Sequence, residues 1–252
     1  MKAMILAAGL GTRLRPLTDD RPKALVEISG RTLLEITLSR LRSFGVREVI
    51  INVHHFADMI VEYLKKNDNF GMNIEVSRED ALLDTGGGLK KAAHFFLRGS
   101  GDASSHSEEA FFVHNVDVLS TIDLRRMVQF HNDHQALATL AVQDRKTSRH
   151  LLFDGQFQLC GRRIGNDPPE IVGGLQPAYA LAFAGIHIVS PRLLAMLSED
   201  GAFSIIGSYL RLAAEGERIL AFRADQYYWR DLGQPENVAQ AVHDLKEKVI
   251  AL

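Results

Sequence analysis

The sequence predicts an α/β protein of three layers, with a mixed, mostly parallel sheet between helices. Residues 2–8 form a continuous apolar run, which is typical of a strand buried on both faces of a parallel sheet. Segments of strand length then alternate with segments of helical spacing, as expected for βαβ units with right-handed crossovers. Since 252 residues with 46% hydrophobic content suffice for one full core, we expect 1–252 to be a single domain.

The elements follow in order from apolar spacing and turn residues. Segment 9–23, with two glycines and two prolines, is predicted to be irregular. The first half then gives, in chain order, helix 32–44 ended by Gly45, strand 46–53, helix 57–66, strand 72–77 and helix 88–97, opened by a triple glycine. The second half gives surface loop 99–109, strand 110–114, helix 123–134, strand 136–143, a hairpin of 149–154 and 156–160, irregular 162–177, strand 178–189, and helices at Pro191, 203–214 and 235–248.

Composition restricts the function classes. A formal net charge of −2 gives no general surface for nucleic acid or anionic membrane, so an anionic ligand must be held by local positive groups. Cys160 is the only cysteine, which excludes a disulfide framework and a cysteine-based zinc site. The apolar start is too short for a signal-peptide core, and no stretch is long enough to span a bilayer. These features predict a cytoplasmic location.

The segment between the first strand and the first helix carries the strongest chemical signal. It reads Gly-Leu-Gly-Thr-Arg-Leu-Arg-Pro-Leu-Thr from Gly9, followed by Pro-Lys-Ala-Leu from Pro22. Glycines allow backbone N–H groups to approach a phosphate, and closely spaced basic side chains add positive charge. A dinucleotide-binding fingerprint would need a third glycine where Leu14 stands, and a P-loop would need Gly-Lys-Ser/Thr, which does not occur.

Two later segments have a chemical and a purely structural interpretation. Backbone amides of Asp84-Thr85-Gly86-Gly87-Gly88 could hold an anion or a base edge at a helix start, or the segment could be a capped turn. Asn115-Val116-Asp117 follows a buried strand, where a carboxylate is well placed for a metal, although Asp117 could simply cap the next helix.

The glycine-rich segment resembles the signature of the sugar-1-phosphate nucleotidylyltransferases, Gly-x-Gly-Thr-Arg-x-Arg-Pro-Leu-Thr followed by Pro-Lys-x-Leu, at every position. The resemblance covers the whole chain and implies the nucleotide-diphospho-sugar transferase fold, a three-layer, Rossmann-like α/β/α arrangement. It is strongest to the short members, which lack the C-terminal β-helix domain. It implies an enzyme that joins a nucleoside triphosphate to a sugar 1-phosphate and releases pyrophosphate with Mg²⁺.

The resemblance also assigns roles to residues. Arg13, Lys23 and Asp117 would be catalytic, and Asp231, in Trp-x-Asp-Leu-Gly, would join Asp117 as a metal ligand. Asn115, Gly185 and Glu170 would bind the sugar substrate. Nucleotide binding is implied for Ala7, Ala8, Gly9, Gly11, Thr12, Arg13, Lys23, Gly86 and Gly87. His54 and His55 lie where the family often has Asn-x-x-His, but we favour ordinary surface or half-buried histidines. A basic loop at Arg145 and Arg149 could meet a phosphate or only water, and we favour water.

The choice of substrates stays open on the sequence. Similarity to the N-acetylmuramate-1-phosphate type favours UTP with an amino-sugar 1-phosphate over GTP with mannose or heptose 1-phosphate. A silent nucleotide-sugar sensor would be expected to lack Arg13, Lys23, Asp117 or Asp231, and all four are present. A non-sugar acceptor remains an alternative, whereas a glycosyltransferase would need an Asp-x-Asp motif. We expect a monomer or homodimer that binds neither nucleic acid nor membrane.

Overall fold

The computed structural model describes residues 1–98, 109–174 and 176–250. Its strands are β1 (Lys2–Leu6), β2 (Glu27–Ile28), β3 (Arg31–Thr32), β4 (Glu48–Val53), β5 (Asn73–Arg78), β6 (Phe111–Asn115), β7 (Val118–Ser120), β8 (Ala138–Gln143), β9 (Arg149–Phe153), β10 (Leu159–Ile164), β11 (Glu170–Ile171), β12 (Tyr179–Val189), β13 (Ile219–Arg223) and β14 (Trp229–Asp231). Its α-helices are α1 (Leu33–Ser43), α2 (Ala57–Lys66), α3 (Asp84–Lys91), α4 (Ala93–Leu97), α5 (Leu124–Asp133), α6 (Arg192–Ala195), α7 (Ile205–Ala214) and α8 (Pro235–Lys246).

The central sheet has the strand order β11–β10–β9–β12–β6–β1–β4–β5, with β8 beside β12 and β13 beside β8. Strands β6, β1, β4 and β5 are mutually parallel, whereas β12 runs antiparallel to β6, β8 and β9. The predicted α/β fold with a mixed, mostly parallel sheet between helices is therefore confirmed. Parallel β1 and β6 end side by side, which brings the segments that follow them to one edge of the sheet.

Apolar side chains cover both faces of this sheet. In β1, Ala3 and Ile5 point into one apolar cluster with α1, while Met4 and Leu6 point into a second with α4 and α7. Such a strand is buried on both faces, which explains its uninterrupted apolar sequence. No helix in the described ranges is long and apolar enough to cross a membrane.

Several element boundaries differ from the prediction. The triple glycine does not open a helix at residue 88 but lies inside α3, which a break at Ala92 separates from α4. The hairpin's second strand begins at Leu159 rather than 156, since Asp154 accepts hydrogen bonds from the N–H groups of Gln156 and Gln158. Segment 162–177 is only partly irregular, because β10 continues through Ile164 and β11 pairs with it. Strand β13 was missed, and loop 99–109 lies almost entirely outside the described residues.

Candidate active site

The segment after β1 presents free backbone donors at the edge of the sheet. Within the described chain, the N–H groups of Ala8, Gly9, Leu10 and Gly11 donate no hydrogen bond to the protein. Gly11 adopts a positive φ of 68°, and its carbonyl oxygen accepts a 2.8 Å hydrogen bond from the Thr18 hydroxyl. Consecutive N–H groups without a protein partner are the donors from which anion-binding concavities are built.

Lys23 returns to these N–H groups from the end of the loop. Its Nζ lies 2.9 Å from Oδ2 of Asp117, and both side chains are largely buried. A Cβ on Gly9 would lie 3.2 Å from the same Nζ, so glycine lets the ammonium group approach the backbone closely. The chain therefore concentrates free N–H groups, a lysine and an aspartate at the ends of β1 and β6.

Two carboxylates far apart in sequence meet through the pairing of β7 with β14. Asp231 lies opposite Val118, and the N–H of Leu232 donates to the carbonyl oxygen of Asp117 at 2.7 Å. The N–H of Gly233 orients Asp231 by donating to its Oδ1 at 2.8 Å. A Cβ on Gly233 would lie 2.9 Å from both that oxygen and Nη2 of Arg13, so this glycine makes room for the arginine beside the carboxylate.

A cleft of about 820 Å³ opens beside these groups. Five of the predicted site residues line it, namely Arg13, Asn115, Asp117, Gly185 and Asp231. Gly185 forms a bulge in β12 with a φ of 72°, where an added Cβ would come within 2.8 Å of the Asn115 amide. The bulge thus lets β12 pack directly against Asn115 at the floor of the cleft.

The donor set suits a hard divalent cation that keeps water or substrate ligands. Asp117 and Asp231 offer carboxylate oxygens to one cleft, and the described residues contain no group of three or more His, Cys, Asp or Glu side chains able to hold a metal. Mg²⁺ is commonly bound through one or two carboxylates, with its other ligands supplied by phosphates and water. A zinc site would need more protein ligands than this cleft provides.

Arg145 is half-buried in the lining of the cleft, so the favoured interpretation of a solvated side chain is wrong. Its guanidinium carbon lies 3.8 Å from the ring centre of Trp229, and its Nη2 donates to the carbonyl oxygen of Phe183 at 2.8 Å. Burial lowers the pKa of this guanidinium, although the charge of Asp231 opposes the shift. Arg145 is thus a positioned cation in the wall of the cleft, a role that no local sequence motif indicates.

The β9–β10 hairpin adds further cations that sequence reasoning missed. Arg163 lies directly opposite His150 across the hairpin, and both line the cleft together with Arg149. The pKa of His150 is lowered by burial and by the charges of Arg163 and Arg145, while Asp144 opposes the shift. Arg149 is exposed, as expected, but it faces the cleft rather than the bulk surface.

The backbone amides of Gly86 and Gly87 are engaged within the protein. Their N–H groups both donate to the carbonyl oxygen of Phe203, at 2.9 and 3.3 Å, so these amides are not free to bind a base edge. An added Cβ would lie 2.3 Å from the Phe203 ring at Gly86 and 2.4 Å from the Gly201 carbonyl oxygen at Gly87. The glycines allow α3 to pack against segment 201–203, and their nucleotide-binding role stays a prediction.

A buried polar network supports the ends of β1, β4 and β5. The Asn52 side chain accepts from the N–H of Ala7 and donates to Glu79, each at 2.8 Å. Glu79 also accepts from the N–H of Leu83, just before α3. The Ala7 N–H is therefore engaged within the protein. His54, half-buried as expected, contacts the Glu79 carbonyl oxygen, and His55 is exposed.

The remaining candidate, Glu170, lies on β11 outside the set of cleft-lining residues. Its Oε2 accepts from Nε of Arg162 at 2.6 Å in a partly exposed ion pair. The structure thus brings five of the predicted residues to one cleft, with Lys23 paired to Asp117 beside it, whereas Glu170 is paired with Arg162.

A protein family and several known proteins are similar in sequence to this chain. The nucleotidyl transferase family matches residues 2–151. The chain is 34% identical over 243 residues to N-acetylmuramate alpha-1-phosphate uridylyltransferase of Caulobacter vibrioides, covering 93% of this chain and 92% of that protein. It is 30% identical to mannose-1-phosphate guanyltransferase of Candida albicans, covering 94% of this chain but only 62% of that relative's length.

A crystal structure of HddC from Yersinia pseudotuberculosis complexed with GMP-PN has the same fold. It superposes with a TM-score of 0.76 at 23% identity, covering 97% of this chain and 99% of that one. The sequence signature, the fold and the relative matched along nearly its full length indicate the same family. The chain is an enzyme that belongs to the sugar-1-phosphate nucleotidylyltransferase family.

Proposed function

We propose that this enzyme transfers a uridylyl group from UTP to an amino-sugar 1-phosphate of the N-acetylmuramate type and releases pyrophosphate. The observation that carries this proposal is the convergence of Arg13, Asp117 and Asp231 in one cleft, with Lys23 paired to Asp117. Cations and carboxylates together suit a reaction between two phosphate groups, because binding and charge neutralisation supply most of its catalysis.

The residues take complementary roles. The free N–H groups of 8–11, together with Arg13 and Lys23, bind the triphosphate, and Arg13 neutralises the charge that develops on the departing pyrophosphate. A phosphate oxygen of the acceptor attacks the α-phosphorus in line, and the bond from that phosphorus to the bridging oxygen of the β-phosphate breaks. No nucleophile from the protein is required, and Asn115 and Gly185 position the acceptor on the floor of the cleft.

Asp117 and Asp231 would hold Mg²⁺ in the substrate complex. The ion supplies charge neutralisation on the phosphate oxygens, in accordance with its preference for oxygen ligands. Lys23, 2.9 Å from Asp117, keeps that carboxylate compensated before substrates arrive and is close enough to contact a phosphate afterwards.

The preference for UTP and an N-acetylmuramate-type acceptor rests on the match along nearly the full length of both chains. GTP with mannose or heptose 1-phosphate is the second candidate, favoured by the 30% identity to the guanyltransferase. We also propose that residues 1–252 form one domain, because both apolar clusters include side chains of β1.

The test is pyrophosphate release with four nucleoside triphosphates against N-acetylmuramate, N-acetylglucosamine and mannose 1-phosphates. We expect release with UTP and N-acetylmuramate 1-phosphate, its loss with a chelator, and its return on adding Mg²⁺. Preference for GTP and mannose 1-phosphate would move the assignment to the second candidate. Tight nucleotide binding without release by any pair would reject the transferase function.

A further inference from the structure

The cleft contains more positive charge than two phosphate-bearing substrates require. Its lining includes Arg13, Arg145, Arg149, Arg162, Arg163 and His150, whereas its only lining acids among the described residues are Asp117 and Asp231. Glu170 compensates Arg162. Arg145, Arg149 and Arg163 form no ion pair within the described chain, although the charge of Asp231 acts on Arg145.

The order of strands in the sheet separates these cations from the residues that we propose bind the nucleotide. Strand β12 lies between β6, which leads into Asp117, and β9, which carries His150. Arg145 occupies the intermediate position, since it contacts Phe183 of β12 and stacks on Trp229, two residues before Asp231. The hairpin cations therefore form the end of the cleft remote from the loop 9–23.

The hairpin end of the cleft places an imidazole beside guanidinium groups. Arg163 is the direct cross-strand neighbour of His150. The pKa of His150 is lowered, by burial first and then by the charges of Arg163 and Arg145, which favours the neutral imidazole beside these cations. An anion that contacts both side chains would accept hydrogen bonds from them and neutralise the charge of Arg163.

We propose that the hairpin end of the cleft is a subsite for a carboxylate on the acceptor sugar, bound by Arg163 and His150 with Arg149 alongside. This inference rests on the proposed function, because it assumes that the phosphate of a sugar 1-phosphate lies near Asp117 and Asp231. Arg145 then lies between the two anionic ends of the acceptor. A neutral sugar 1-phosphate would leave the hairpin cations unpaired and would be the poorer substrate.

The experiment uses two acceptors that differ only in the 3-O-lactyl ether, which carries the carboxylate: N-acetylmuramate 1-phosphate and N-acetylglucosamine 1-phosphate. Wild-type enzyme should have the higher kcat/KM with the first, and Arg163→Gln should lower that value about tenfold through KM. The value for the neutral acceptor should change less than about twofold. Arg192→Gln, which removes an exposed arginine paired with Glu217 outside the cleft, is the matched control and should change neither.

Equal losses with both acceptors would overturn the proposal, since Arg163 would then serve the phosphate that they share. No change with either acceptor would also overturn it. Glucose 1,6-bisphosphate as the best acceptor would show that the subsite takes a second phosphate instead of a carboxylate.

Calorimetry separates this subsite from the transferase function. UDP-N-acetylmuramate should bind about tenfold more tightly than UDP-N-acetylglucosamine, and Arg163→Gln should remove the difference. If no pyrophosphate is released yet this pattern holds, the carboxylate subsite stands and the proposed reaction fails. If pyrophosphate is released and the variant weakens both sugar nucleotides equally, the reaction stands and the subsite fails.

Discussion

The two ends of the cleft differ in how the chain builds them. The nucleotide end, as we propose it, comes from one continuous stretch, the loop 9–23 after β1, joined by Asp117 after the neighbouring strand. The acceptor end combines Arg145, the β9–β10 hairpin and the bulge of β12, which lie within residues 145–187 but share no contiguous binding motif. A binding motif within one loop is visible in the sequence, whereas a site assembled by strand pairing becomes visible only in the fold.

The largest expected effect is on kcat and follows from removing the carboxylate charge of Asp231. Asp231→Asn should lower kcat by about 10²–10³, because one charged ligand at the reacting phosphates is lost. The melting temperature should stay close to that of the wild type, since the residue is only half-buried at the cleft. Asp167→Asn, on an exposed turn, is the control and should retain full activity. Wild-type turnover by Asp231→Asn would remove this residue from the site.

The packing of α3 against segment 201–203 gives the next effect. Gly86→Ala should lower the free energy of unfolding by about 1–3 kcal/mol, because its Cβ would lie 2.3 Å from the Phe203 ring and 2.9 Å from the Phe203 carbonyl oxygen. Gly155→Ala, where nothing lies within 4 Å of the added Cβ, should change that free energy by less than about 0.5 kcal/mol. Urea unfolding measures both, and equal stability of the two variants would contradict the close packing.

Between the two ends, β6 contributes the buried side chain of His114. Burial lowers its pKa to about 4, with a smaller contribution from the charge of Arg40. The folded state keeps it neutral while the unfolded chain binds a proton near pH 6.5, so stability falls as the pH drops from 6.5 towards 4. At pH 5 the loss from this histidine is about 2 kcal/mol relative to pH 7.

His114→Asn should reduce the difference in unfolding free energy between pH 7 and pH 5 by about that amount. His134→Asn, at the exposed end of α5, is the comparison and should leave the difference unchanged. An identical difference in wild type and His114→Asn would exclude this histidine as a source of acid sensitivity.

The smallest predicted effect concerns Arg145, whose guanidinium group stacks on Trp229 between the two ends of the cleft. Arg145→Lys retains a charge but loses the planar stacking on Trp229 at 3.8 Å. Because such an interaction contributes about 1 kcal/mol, KM for the acceptor should rise about fivefold, with kcat and KM for the triphosphate little changed. Steady-state kinetics with each substrate varied in turn separates these effects. A rise confined to the triphosphate KM would place Arg145 at the nucleotide end instead.

The sequence was most informative where periodicity and a contiguous motif coincided. Strands β1 and β4, helices α1 and α2 and the loop 9–23 follow from apolar spacing and from glycine and proline placement. The meeting of Asp117 and Asp231, which the pairing of β7 with β14 produces, was implied only by the family resemblance. Short strands of three residues carry too little periodicity to be predicted locally.

The triple glycine and Arg145 were both interpreted differently from the sequence because contacts between distant segments determine their surroundings. The triple glycine has the form of a helix start, but close approach of Phe203 and Gly201 selects glycine inside α3. Arg145 has charged and polar neighbours in sequence, yet Trp229 and Phe183 from distant strands half-bury it. Contacts with residues distant in sequence determine the environment of both sites. The local sequence does not identify the partners in those contacts.

The most direct test of the central claim follows the phosphorus atoms of UTP. In parallel reactions with N-acetylmuramate 1-phosphate and Mg²⁺, UTP carries the ³²P label at either the α or the γ position. Nucleotidyl transfer predicts that the α label appears in the sugar nucleotide and the γ label in pyrophosphate. Transfer of the γ label to the sugar, or recovery of the α label only as UMP or UDP, would contradict the account.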